Sequence, residues 1–125
     1  MLLKLFKKKT EISDDQIMLN RLWDLYASGE LEEKNREVYF LCDYEAGVNG
    51  EGHSGFCFNN EANLSAYQDA LQKLLPDELY GNFLKATQSY TTDIEEEVCE
   101  AADNYFYQHE EIVIAILQEF ANKLV

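Results

Sequence analysis

Apolar residues recur at helical intervals along most of the chain. Ile17, Met18, Leu22, Leu25 and Tyr26 follow Ser13-Asp14-Asp15-Gln16, which has the spacing of a capping box with Ser13 as N-cap and Gln16 reaching back. Gly29 supplies the stop. A second helix is predicted over about Glu32 to Ala46, with Val38, Leu41, Cys42 and Glu45 along adjoining rows. It should end where Gly47, Gly50, Gly52 and Gly55 crowd together, because a run of glycines interrupts a helix and marks a loop. That loop leads into the short apolar piece Phe56-Cys57-Phe58.

From Asn60 the helical pattern returns, with Leu64, Tyr67, Leu71 and Leu74 on one stripe up to Pro76, where a new helix can begin. Leu79, Tyr80, Phe83 and Leu84 form the next stripe. Thr92-Asp93-Ile94-Glu95 has capping-box spacing and opens a fifth helix, whose apolar face is expected at Ile94, Val98, Ala101 and Tyr105. A last helix, about Glu110 to Leu124, carries Ile112, Val113, Ile116, Leu117, Phe120 and Leu124. Ile114 falls outside that stripe and suggests a homodimer contact. No run alternates as a strand would. The pattern predicts an all-α fold: a single compact domain of about six helices with one Gly-rich loop, over residues 11–125, behind a basic segment at residues 1–10.

Charge narrows the function. Twenty-four Asp and Glu against ten Lys and Arg give a formal charge of -14, which repels a phosphate backbone, so direct nucleic-acid binding is not expected. Four of the cations, Lys4, Lys7, Lys8 and Lys9, lie in the basic N-terminal segment. Its lysines follow its short apolar part, the reverse of a secretory signal, and no stretch has the length of a membrane span. A cytoplasmic location is expected. Cys42, Cys57 and Cys99 are odd in number and widely spaced, and neither they nor His53 and His109 have the spacing of metal ligands. No metal and no cofactor is expected.

The glycine segment fails as a phosphate loop, since it lacks a Gly-Lys-Ser/Thr ending and carries Glu51 where a lysine is needed. It fails as a calcium loop because Gly47 and Phe56 occupy ligand positions. One catalytic arrangement is left, a small hydrolase or transferase with Cys57 or Ser54 as nucleophile and His53 as base. The better-formed signal is acidic. Asp93, Glu96, Glu97, Glu100 and Asp103 fall within an arc of about 120° on the fifth helix, opposite its expected apolar stripe. Five carboxylates along about 15 Å approach the charge density of a DNA strand, one phosphate per about 3.4 Å. Such a row can be a solvated face or a face that meets a basic partner.

The segment Asp43-Tyr-Glu45-Ala-Gly-Val-Asn49-Gly50-Glu-Gly52-His53-Ser-Gly55-Phe56-Cys-Phe58-Asn59 resembles the signature of a bacterial family of unknown function that includes a DNA-mimic protein. The resemblance extends from about Arg36 to the C-terminus. It implies an all-α, acidic, non-enzymatic protein and, by analogy with that member, a basic protein partner such as a nucleic-acid-binding regulator. The residues themselves also allow a purely structural role, with Asn49-Gly50 as a turn and Phe56 and Phe58 plugging the core.

Overall fold

The computed structural model describes residues 13–92 and 96–124. The basic segment at residues 1–10 and the Asp93-Ile94-Glu95 part of the second capping box lie outside the described residues. Within them the fold is a compact all-α domain of six helices with no strand. These are α1 (Asp14–Ser28), α2 (Glu30–Lys34), α3 (Arg36–Asn59), α4 (Leu64–Leu74), α5 (Asp77–Thr92) and α6 (Glu96–Asn122). A 3-10 turn, Glu61–Asn63, joins α3 to α4. No helix among the described residues is long and apolar enough to cross a membrane.

Local chemistry explains the first boundaries. The Ser13 hydroxyl accepts the Gln16 amide at 3.1 Å, as expected of an N-cap, although the Gln16 side chain turns forward to Asn20 instead of reaching back. Gly29 ends α1 in the left-handed region, at φ 85°. The predicted second helix is divided: Asn35 is extended, and its side chain caps the Val38 amide at 3.2 Å, so α2 stops and α3 starts there. α5 begins directly after Pro76, where its stripe placed it.

The glycine-rich segment is not an open loop. α3 continues through it to Asn59 and changes direction at Gly52, whose φ 71° and ψ 177° lie outside the helical region. Two helical arms therefore meet at one residue. The predicted fifth and sixth helices are likewise one, α6, because no glycine, proline or capping residue interrupts Tyr105 to Glu110 strongly enough to stop the ladder.

α6 packs against α1, α3 and α5, and α4 covers α3. Its buried face is Cys99, Ala102, Phe106, Val113, Leu117 and Ala121. In its first half this is one position later than the expected stripe: Ala101 is exposed and Tyr105 half-buried. Phe106 decides the rotation, since its ring buries without stranding a hydroxyl, whereas the Tyr105 hydroxyl stays outside and faces Glu78. Phe106, Tyr44, Phe56 and Phe83 form the centre of the core, with Tyr44 5.3–5.4 Å from the other three ring centroids. Phe58 does not plug the core; it is 70% exposed. Ile114 packs half-buried against the core, while Ile112 is the exposed isoleucine of that helix.

Candidate functional site

The acidic row survives in part. Glu96, Glu97 and Glu100 are exposed at the start of α6, where the helix dipole favours negative charge in the first turn. Asp93 lies outside the described residues. Asp103 does not belong to the outward row: the rotation of α6 turns its carboxylate toward α3. The three remaining carboxylates span about 6 Å along the axis. Glu97 also borders a groove between α5 and α6 that contains Lys85, Val98 and Tyr105, so one cation from a neighbouring helix stands beside the row.

The surrounding charge is strongly unbalanced. Among the described residues sixteen carboxylate side chains are exposed, against six lysines and arginines. One fully charged pair forms among them, Lys73 with Glu37 at 3.5 Å, on the surface. Most of the exposed carboxylates therefore contribute to an uncompensated negative field.

The glycine-rich segment builds the bend of α3. Asp103 Oδ1 accepts the His53 backbone amide at 2.7 Å and so caps the second arm of α3 from across the fold. The same oxygen accepts His53 Nδ1–H at 2.7 Å, and the Tyr44 hydroxyl donates to His53 Nε2 at 2.6 Å. Burial pushes the His53 pKa down, opposed by Asp103, and a neutral ring with its proton on Nδ1 satisfies both bonds. Tyr44 is held above the usual phenol range, first by its burial. Gly52 is required here, since a β-carbon on it would lie 2.6 Å from Asp103 Oδ2 as well as at positive φ. At Gly55 a β-carbon would approach Glu51 Cβ to 2.5 Å.

The other polar residues of this segment tie the bend to the rest of the fold. Asp43 accepts hydrogen bonds from the hydroxyls of Tyr26, at 2.5 Å, and Tyr67. Glu45 Oε1 accepts the Asn49 side-chain amide at 2.6 Å, and Asn49 also donates to Glu110 on α6. Burial, then the neighbouring Glu110, raises the Glu45 pKa to about 7, while Asn49 lowers it. Asn59 donates to Glu51 across the bend. Neither Asn49 nor Gly50 forms a turn: both are helical, and Asn49 takes the i−4 carbonyl of Glu45 as a further acceptor.

The nucleophile arrangement is not assembled. His53 is buried with both ring nitrogens engaged, Ser54 is exposed, and Cys57 faces the core. Burial first, then Cys99 and Asp103, pushes the Cys57 thiol up to about 12, which disfavours a thiolate. Sequence reasoning missed Tyr26, Tyr44, Tyr67 and Glu110. Glu110 lies 61 positions from Asn49 and Tyr67 24 from Asp43, distances at which no local spacing links them.

The family model described as DMP19-like protein matches residues 29–124. That range includes the whole bend and the outward carboxylates of α6. No curated protein and no solved structure matches the chain.

Proposed function

We propose that this chain, which belongs to the DMP19-like, DNA-mimic-protein-like family, is an acidic protein ligand that occupies the nucleic-acid-binding surface of a basic protein. The observation that carries the reading is the excess of outward negative charge: among the described residues sixteen exposed carboxylates stand against six cations, and over the full chain the net charge is -14, with Glu96, Glu97 and Glu100 grouped on one helix. A basic groove built for phosphates attracts such a surface over a distance, and the attraction fixes approach and register more than it adds contact energy. The helix is a suitable carrier because its buried face, around Cys99, Ala102 and Phe106, holds the carboxylates in place without involving them. The role is binding, with no chemical step.

The test is capture from an extract of the source cells by the immobilised full chain. The captured protein should be basic, should elute as salt shortens the Debye length from about 10 Å at 0.1 M to about 3 Å at 1 M, and should be displaced by duplex DNA. The Glu96→Lys, Glu97→Lys, Glu100→Lys variant should lose it. An acidic captured protein, indifference to duplex DNA, or undiminished capture by the triple variant overturns the proposal.

A further inference from the structure

The bend at Gly52 has a second consequence. The two arms of α3 diverge there, and with α1 they enclose a cleft of about 350 Å³ that includes Tyr26, Asp43, Gly50, Glu51, Asn59 and Asn60. Asp43 is half-buried and so lies deep, while Glu51 and Asn59 are exposed at the mouth. The Asp43 oxygens take one phenol proton each, from Tyr26 and Tyr67, which aims the carboxylate and leaves further lone pairs for another donor. No lysine or arginine among the described residues lies within ion-pair distance of Asp43 or Glu51. Among the described residues, then, this half-buried carboxylate is held by two neutral phenol donors and by no cation.

Gly50 lines this cleft and is exposed. Its backbone is helical and not at positive φ, and a β-carbon there would meet no atom within 4 Å. Neither conformation nor packing requires glycine, which within a helix costs about 0.5–1 kcal/mol relative to alanine. A larger side chain at this position has room at the edge of the cleft.

We propose that this cleft receives the guanidinium of an arginine side chain presented by a partner protein. Guanidinium is planar, permanently charged and carries five donors in a fixed fork, which suits two carboxylates of different exposure, the Asn59 side chain and an aromatic ring at Tyr26. An ammonium ion, with three donors on a point charge, leaves most of these acceptors unused. Free arginine should be a poorer ligand than an arginine within a chain, because its α-carboxylate adds a negative charge to a cleft that already holds Asp43 and Glu51. The site is separate from the α6 carboxylates and does not rest on their role.

The experiment is an NMR titration of the ¹⁵N-labelled full chain with Nα-acetyl-L-arginine N-methylamide. Saturating shifts should be confined to Gly47, Gly50, Asn59, Asn60 and their neighbours. The lysine analogue and free L-arginine should each bind at least tenfold more weakly, and Asp43→Asn should weaken binding at least tenfold. Gly50→Leu should block the cleft without lowering the thermal midpoint, which keeps the test valid even if Asp43→Asn disturbs the tyrosines. Glu96→Lys, Glu97→Lys, Glu100→Lys should bind the arginine probe as the wild type does, so failure of either proposal is separable from failure of the other. Non-saturating shifts spread over exposed carboxylates, equal binding of the lysine analogue, or unchanged binding by Gly50→Leu overturns the assignment.

Discussion

Glu100 and Asp103 are one helical turn apart on α6 and have opposite tasks. Glu100 stands in water with Glu96 and Glu97; Asp103 is turned inward and receives the backbone and ring N–H groups of His53. Three residues on an α-helix amount to a net rotation of about 60°, enough to carry a carboxylate from the solvent side to the α3 interface. Around the bend, Asp43, Glu45 and Glu110 likewise accept internal hydrogen bonds, Asp43 with acceptor capacity to spare. An acidic protein of this kind has two populations of carboxylates: one makes the external field, and the other holds the bent helix whose fold supports it.

The sharpest way to break this distinction is at the bend itself. Gly52→Ala combines a backbone conformation nearly restricted to glycine with a contact against Asp103 Oδ2, and should destabilise the domain by about 3 kcal/mol in a urea titration. Unchanged stability would mean that the bend relaxes freely. Next comes Asp103→Asn, which weakens two charge-assisted bonds to His53 and should cost about 2 kcal/mol. The neighbouring Glu100→Gln should cost far less. Equal losses at the two positions would erase the difference between inward and outward acids.

Acidity tests the inward group in two directions. His53 is held below its ordinary value of 6.5, so its contribution to stability is complete above that pH and is lost as pH falls through the folded value. Glu45 is raised from 4.5 to about 7, so its contribution is complete below pH 4.5 and is lost as pH rises through about 7. Glu45→Gln should therefore remove the part of the decline in Tm that accumulates between pH 4.5 and 7, while the acid-side loss tied to His53 persists. If wild type and variant run parallel over that range, Glu45 does not titrate as its surroundings require. The smallest effect on stability belongs to the outward acids. Lysine at Glu96, Glu97 and Glu100 should cost at most about 1 kcal/mol each, the part owed to the helix dipole at Glu96 and Glu97, since those side chains carry no internal bond, yet the triple change should abolish partner capture.

Much of this arrangement was readable locally. Ser13, Gly29 and Pro76 mark boundaries because capping, positive φ and the missing proline amide act within a few residues. The glycine segment misled for an equally physical reason. Glycines weaken a helix but do not forbid one, and here Asp103, fifty positions away, caps the arm that restarts after Gly52. Phe58 was expected inside with Phe56, but two residues on a helix face opposite ways, unlike two residues on a bent loop held against the core.

Sequence alone determined the helical class and the negative charge, because both follow from residue type and from spacings of three and four. It also located the segment that would be structurally unusual. Only the tertiary structure decided which acids point outward, which stripe of α6 is buried, and that the glycine segment is a bend. Periodicity sets the interval between apolar residues and not their phase: Val98-Ala101-Tyr105 and Cys99-Ala102-Phe106 satisfy it equally, and packing against Tyr44 and Phe83 selects the second. With that phase, Asp103 is committed to His53, and Glu96, Glu97 and Glu100 are left to the solvent.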